Sequence, residues 1–575
     1  MTKLIDIIYL CIIIVEQFYT SFAASHAFSV SKILQLQKNE TESPFADDDI
    51  TYNSSSDVEE LFFEQTLDHF ALHPSSPEQD RTFKQRYFYT SRFVKHKKDS
   101  NQIDKHHNIR QRESHYESKK NYDGETFAFL CVGGEGPSLT KSVLIDSVHC
   151  TGDMIEVASR LSKELKANIH LFALEHRYYG KSYPTFLDGS SPVSNSNLVY
   201  LSSRQALVDL ATFIQFSKQE YGLGEHVQWI AFGGSYPGML AAWSRLKFPH
   251  LVHAAVSNSA PVEVILDFDE YKNVVANDLK NEMIGGSTEC LNVVQNGHYE
   301  IAQILSDNTY EAREKVATLF NICGGEESLQ VQKNVNSFLG DGVIEIPAQE
   351  NDPSCEDDLC NIGKICDFLT SESSYSSMEK LANISKKQTQ GCKDIDWEAM
   401  IDFLSSDGAA VEGTRSWLYQ TCSEVGFYQT CHSDSLCPFG KGYHNLDADF
   451  EICERAYGID AEMVTKNVQD TLTYYGGWDM EGSRILSVNG DVDPWSKMSM
   501  SNHKSDNKDL PSYWSIGASH HFWTHQVKES DNANIQNTRD NIYNWVKLEL
   551  DNDREKRLDI LLDQKESIAS TVERI

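Results

Sequence analysis

The sequence predicts an α/β architecture: a mostly parallel sheet with helices on both faces, interrupted by one large helical, cysteine-rich insertion. Three observations carry this. Short apolar, aromatic and β-branched runs alternate with helical patterns from Thr126 to Val256 and again after Arg484, the order that crossovers between parallel strands produce. The stretch VQWIAFGGSYPGMLAAWSRLK (227–247) passes from strand to helix through two glycines and Ser235 with no loop between. Residues 266–475 lack that alternation, read as helical, and hold ten of the chain's 13 cysteines.

Taken in order, the chain of 575 residues opens with Lys3, an apolar run at 7–15 and small residues around Ala23 to Ala27. That is a signal-peptide layout over residues 1–27, with cleavage after Ala23 or Ala27. The run is shorter than the roughly 20 apolar residues that a spanning helix needs, so no stable membrane anchor is expected. Residues 28–57 are polar and acidic with few core formers, and read as a propeptide or flexible arm. The first part of the α/β domain spans 58–265. It begins with two amphipathic or strand-like runs, VEELFFEQTLDHF and TFKQRYFYTSRFV. Residues 95–124 are nearly devoid of aliphatics and read as a surface insertion, in which His106, His107 and His115 belong to a solvated segment rather than to a metal site. A strand at 126–132 empties into GGEGP (133–137), a helical pattern runs to about Lys166, and a strand at 169–174 leads into EHRYYGKSYP. An amphipathic helix with a serine cap fills 202–221. After the 227–247 unit, a strand at 251–256 ends in SNSAP. The insertion, 266–475, reads as a cap. The second part of the domain, 476–552, carries strands at 484–488 and 513–516, which empty into NGDVDPWS and GASHH, and a closing helix at 537–550. Residues 553–575 form a charged tail.

Composition narrows the function classes. With 51 Lys+Arg against 85 Asp+Glu, no nucleic-acid partner is expected. Beyond Cys11 of the leader an even 12 cysteines remain. In an oxidising compartment that count reads as disulfides of undetermined connectivity. No close pairs with zinc-ligand spacing occur, so neither metal nor other cofactor is expected. Glycosylation sequons stand at Asn39, Asn53 and Asn383.

The chemistry begins at Ser235. A strand–turn–helix unit with a serine on a sharp turn between small residues is the nucleophile elbow of an α/β-hydrolase. The usual last glycine of that pattern is replaced by Pro237, which the first helical turn tolerates because its N–H groups lack intrahelical partners. Tyr236 keeps the N–H that an oxyanion hole requires. A serine hydroxyl also needs a base, and the base a carboxylate. In this fold those follow the serine in the order acid, then histidine, on loops after strands. Asp493 or Asp491 is the acid; Asp493 is favoured because Pro494-Trp495 would fix and shield it. His520 is favoured as base over His521, with His525 further along.

The motifs FFEQTLDHF, FKQRYF, GGEGP, LEHRYYGKSYP, GGSYPGMLAAWSRLKFPH, SNSAP, WLYQTCSEVGFYQTC and NGDVDPWS occur in one order from about Leu61 to Leu550. In them the chain resembles the serine exopeptidase family that contains lysosomal Pro-X carboxypeptidase, dipeptidyl peptidase II and thymus-specific serine protease, and it is most similar to the thymus-specific branch. The resemblance implies an α/β-hydrolase with a mostly parallel sheet and an inserted helical, disulfide-rich cap. It carries a triad onto Ser235, Asp493 and His520, and implies cleavage of peptide substrates next to proline through an acyl-enzyme. By the same analogy the oxyanion would be held by the Tyr236 N–H and a second N–H at Gly134 or Glu135. Glu135 is alternatively a group meeting a substrate's amino terminus or a plain turn glutamate. Trp417, Tyr419, Phe427, Tyr428 and Trp495 are candidates for a pocket suited to proline, and Glu175, His176 and Arg177 for a buried ionic cluster. Family members often carry Leu-Asp where this chain has Phe522-Trp523, which puts the local pocket wall in question. The implied destination is the secretory pathway, a lysosome- or vacuole-like compartment or the cell exterior, with a homodimer compatible. Two rival readings stand beside this: a lipase or esterase on the same fold, and a catalytically inactive binding protein.

Overall fold

The computed structural model describes residues 57–71, 81–95, 125–502, 504–505 and 507–551. The expected leader, arm and charged tail, nearly all of the 95–124 insertion, and Asn39 and Asn53 lie outside the described residues. Ten strands are described: β1 (Glu59–Thr66), β2 (Thr82–Phe93), β3 (Thr126–Val132), β4 (Asn168–Leu174), β5 (Gln228–Gly234), β6 (Ala254–Asn258), β7 (Ile265–Asp267), β8 (Gly426–Tyr428), β9 (Ile485–Gly490) and β10 (Ser512–Ser515). Eight of them form one sheet in the order β1-β2-β4-β3-β5-β6-β9-β10, while β7 and β8 pair apart from it. Every neighbouring pair from β4 to β10 is parallel, and β2 runs against both β1 and β4.

Side chains of a strand alternate between faces, and here both faces are covered. In β3, Phe127, Phe129 and Cys131 enter one core with Ile230, Phe232 and Val256. Ala128, Leu130 and Val132 enter the other with Phe172 and Trp229. Burial on both sides explains why β4, NIHLFAL, is wholly buried and near-continuously apolar. Helices α1 (Glu156–Glu164) and the closing helix cover the first face through Val157, Leu161, Ile542 and Val546. Helices α2 (Ser203–Glu220) and α3 (Tyr236–Lys247) cover the second through Leu207, Phe213, Met239 and Trp243. The serine cap of α2 forms as expected, Ser202 accepting from the Gln205 N–H at 3.2 Å.

Two local expectations are corrected. The helical pattern before Lys166 becomes α-helix only at Glu156. Ahead of it lie a short 3₁₀ turn at Lys141–Leu144 and a wide turn at Thr151–Ile155, because the Cys131–Cys150 disulfide ties this segment to β3. The strand after the elbow begins at Ala254 rather than 251, since Leu251 and Val252 still donate back to Phe248 in a turn.

Between β6 and β9 the chain is predominantly helical. It includes α4 (Glu270–Leu279), α5 (Ser377–Gln388) and α6 (Thr414–Gln420); the closing helix, 533–551, is α7. All twelve described cysteines pair: Cys290–Cys366, Cys323–Cys392, Cys355–Cys360, Cys422–Cys453 and Cys431–Cys437 join the first pair named. Asn383 sits half-buried on α5 between buried Ala382 and Ile384. No described helix is long and apolar enough to cross a membrane.

A buried charged cluster braces the insertion. Lys272 of α4 lies 3.4 Å from Asp341, and His444 lies 2.6 Å from Asp341 and 3.1 Å from Asp449. Burial alone lowers the pKa of His444, but the two carboxylates outweigh it and raise it to about 9. An unfolded histidine titrates near ~6.5. The stability this group supplies is therefore complete below about 6.5 and is lost as pH rises through about 9. The thermal midpoint of the disulfide-intact protein is expected to fall across that window, and His444→Gln to remove this decline; an identical slope in both proteins contradicts it.

Candidate active site

Ser235 stands at the N-cap of α3 with φ 62° and ψ −132°, a region costly for a side-chain-bearing residue. Its surroundings hold it there. The Ser235 N–H donates to Asn258 O at 2.9 Å, and Ser235 O accepts from the Met239 N–H at 3.0 Å. A Cβ on Gly233 would overlap the Pro237 carbonyl, and one on Gly234 would press on the His521 ring. The Pro237 departure is accommodated across the gap: a Cβ on Gly134 of the GGEGP loop would overlap the Pro237 ring. Proline in the first turn of α3 and glycine in the facing loop therefore fit as a pair.

The favoured acid and base come together. Asp493 is fully buried and caps the 3₁₀ turn Pro494–Met498, accepting from the Trp495 N–H at 2.9 Å. His520 Nδ1 lies 3.0 and 2.9 Å from the two Asp493 oxygens. Its Nε2 is buried with no hydrogen-bond partner. Asp491 is exposed and accepts from the Gly517 N–H, closing the turn. His521 points elsewhere: its N–H donates to Ser259 Oγ at 2.8 Å, its Nδ1 meets Thr524 Oγ1 at 3.1 Å, and its ring packs on Gly234. Burial pushes the His521 pKa well below the usual histidine value and that of His525 to about 3, so both stay neutral.

Asn258, at the end of β6, ties the elbow down. Besides receiving the Ser235 N–H, it donates to Asp153 Oδ2 at 2.8 Å and to Gly233 O at 3.1 Å. It also accepts from Trp523 Nε1 at 2.8 Å. Burial pushes the Asp153 carboxyl up to about 7. Trp523 is thus wholly buried beneath the elbow, where its indole supports the turn.

Tyr236 joins the site to the insertion. Gln420 Nε2 of α6 donates to the Tyr236 hydroxyl at 2.8 Å, Tyr179 donates to Gln420 Oε1 at 2.6 Å, and His176 Nε2 lies 3.1 Å from the same Tyr236 hydroxyl. Burial holds His176 near 4, hence neutral. The expected ionic cluster of Glu175, His176 and Arg177 is corrected: neutral His176 stands outside it, and its two neighbours enter separate ion pairs. Glu175 pairs with Arg86 and accepts from Ser182 at 2.7 Å. Arg177 clamps Asp209 with two 2.6 Å hydrogen bonds.

The candidate pocket aromatics divide. Trp417 faces Tyr236, with ring centroids 5.6 Å apart. Trp495 lies 5.4 Å from Phe268, 5.4 Å from Tyr271, 5.3 Å from Phe427 and 6.2 Å from the His520 ring. Tyr419 is a correction. Two residues after Trp417 on α6, it takes the opposite helix face and packs 5.7 Å from Tyr457 in a separate apolar cluster. Tyr428 likewise turns away, its hydroxyl 3.1 Å from Cys453 Sγ. Glu135 is half-buried beside Ser235, with one carboxyl oxygen buried and unpartnered. Sequence reasoning missed Gln349, Gln420 and Asn258. Gln349 accepts from Trp495 Nε1 at 2.7 Å and from the His520 N–H at 3.2 Å. Only the QTC run and SNSAP hinted at the other two.

A strained serine between strand and helix, at the carboxyl edge of a parallel sheet that also presents a buried Asp–His pair, defines an α/β-hydrolase. Comparison with known proteins carries this to a family. The serine carboxypeptidase S28 family matches residues 101–542, and the chain belongs to it; it is a serine-type peptidase. Thymus-specific serine protease of Mus musculus is 33% identical over 389 residues, covering 66% of this chain and 74% of its own. The Homo sapiens protein of the same name is 34% identical over 338 residues, 57% and 64% of the two chains. Lysosomal Pro-X carboxypeptidase of Homo sapiens is 27% identical over 465 residues, 76% and 77%.

Proposed function

We propose that this peptidase is an exopeptidase that cuts next to proline, with Ser235 as nucleophile, His520 as general base and Asp493 orienting it. The observation that carries the reading is the buried two-oxygen contact of Asp493 with His520 Nδ1, which leaves Nε2 unpartnered in the interior. A carboxylate on Nδ1 fixes the tautomer whose Nε2 accepts a proton and stabilises the imidazolium that results. His520 takes the Ser235 proton as Oγ attacks the peptide carbonyl, and the carbonyl electrons move to oxygen. Collapse expels the amine, protonated by His520, and leaves an acyl-enzyme that water hydrolyses by the same steps. The Tyr236 N–H and a second N–H near Gly134 face the oxyanion. Removing one such donor costs on the order of 10²–10³ in rate.

Trp417, Trp495 and Phe427 offer aromatic walls on the insertion side, suited to the flat, compact proline ring. Six disulfides support synthesis through an oxidising secretory route, with a lysosome-like or extracellular destination. The test is a pair of substrates assayed from acidic to mildly alkaline pH: an amino-free X-Pro dipeptide on a fluorophore, and an amino-blocked peptide ending in Pro-X. Release from the first alone defines a dipeptidyl peptidase, and from the second alone a carboxypeptidase. Turnover of neither, with esters hydrolysed, overturns the exopeptidase reading.

A further inference from the structure

The GGEGP loop leaves β3 at its carboxyl end and leans on the elbow, with Gly134 seated against the Pro237 ring. That seat delivers the next residue, Glu135, into the reaction centre. Its carboxyl interacts with the Ser235 hydroxyl and with the Tyr236 backbone N–H, the donor expected to receive the oxyanion. Its Oε2 is buried without a hydrogen-bond partner. Among the described residues no cation acts on it. From α3 come Ser235 and the Tyr236 phenol, and from the loop after β4 comes Tyr179, with neutral His176 packed behind both tyrosines. The insertion brings Gly413 against Gly136, carrying Glu412 beside it, and Gln420 and Glu424 behind Tyr236.

A carboxylate in that position works against acyl transfer. A carboxylate accepts more strongly than an acid, so it would hold the Ser235 and Tyr236 hydrogens against an entering substrate oxygen. It would also compete with His520 Nε2 for the Ser235 proton and repel the negative charge that develops. A carboxylic acid accepts more weakly, carries no charge to repel the oxyanion, and its O–H is a donor. We infer that Glu135 acts as the neutral acid, its O–H donating to the oxyanion alongside the Tyr236 N–H, and that its ionisation closes the oxyanion site. The proton stays on Glu135 throughout; only the Ser235 proton is transferred, to His520. This assignment rests on the reading of Ser235 as nucleophile and adds a catalytic residue to it.

The local environment supplies the required protonation state. Burial pushes the Glu135 carboxyl up to about 8, against the opposing pull of its hydrogen bonds to its own backbone, Ser235 and Tyr236. Protonated carboxyls that serve as oxyanion donors are known where apolar surroundings raise their pKa. At pH 6 the acid then exceeds the carboxylate by about 100 to 1, and at pH 9 the ratio inverts to about 1 to 10.

The experiment measures kcat and KM from pH 5 to 10 on whichever peptide substrate the wild type cleaves, with Ser235→Ala as the blank. Wild type is expected to lose about tenfold in kcat by pH 9 relative to its plateau. Glu135→Gln keeps an N–H donor that cannot ionise. It is expected to retain activity within about tenfold at pH 6 and to lose the alkaline limb. Glu135→Ala, lacking any donor, is expected to lose about 10²–10³ in kcat with little change in KM. The melting temperature shows which variants are folded. An unchanged alkaline limb in Glu135→Gln, an inactive but folded Glu135→Gln, or wild-type kcat in Glu135→Ala overturns the assignment while leaving the Ser235 reading intact. Loss of only the Ser235 dependence overturns the reading beneath it. Should Glu135→Ala not fold, the pH profile of Glu135→Gln decides.

Discussion

Replacing Ser235 by alanine is expected to lower kcat by about 10⁴–10⁶-fold, with the protein still folded. The size follows from what is removed: the covalent route itself, leaving only binding and oxyanion donors to assist water. Alanine at this position keeps the backbone hydrogen bonds to Asn258 and Met239, which do not involve the side chain. Its melting temperature should therefore stay close to that of wild type, separating lost chemistry from lost structure. His520→Ala is expected to fall equally far, and the double variant no further, because residues acting as a unit are not additive. His521→Ala distinguishes the two adjacent histidines. His521 packs on Gly234 and holds Ser259, with no carboxylate on its ring, so its loss should cost far less than that of His520. Equal losses in the two single variants would contradict the assignment of the base.

Asp493→Asn is expected to lower kcat by about 10⁴-fold. An amide fits the same space, but its NH₂ faces His520 Nδ1 and favours the tautomer whose Nε2 carries a proton, leaving no base for Ser235. The neighbouring substitution Asp491→Asn provides the control. Asp491 is exposed and its contact is the Gly517 N–H, which an asparagine carbonyl still accepts. It should keep activity within a few-fold. Steady-state kinetics on the preferred peptide at the activity optimum checks both; a larger loss in Asp491→Asn than in Asp493→Asn would exchange their roles.

Much of this arrangement was legible because local chemistry dictates it. The two-sided apolar run 126–132 can be only a buried strand, and it is β3. Ser202 reads as a cap because its hydroxyl is suited to the N–H three residues on. The small residues around Ser235 announce a turn with positive φ. What stayed hidden depends on contacts distant in sequence. Nothing local tells that Gln420 reaches across 184 residues to Tyr236, or that Gln349 meets both Trp495 and His520. The Tyr419 assignment failed because an aromatic-rich helix shows its composition but not which face turns inward. The pattern before Lys166 overstated helix because a disulfide and a tight loop override a weak periodicity there. Pro237 looked like a departure from a motif until Gly134 was seen opposite it.

The most direct test of the central claim is to react the intact, folded protein with a fluorophosphonate and map the adduct by peptide mass spectrometry. One adduct is predicted, on Ser235, with activity falling in step with its formation. It should be absent in Ser235→Ala and much slower in His520→Ala. Modification of a different serine, or full inactivation of an enzyme whose Ser235 stays unmodified, would contradict the account.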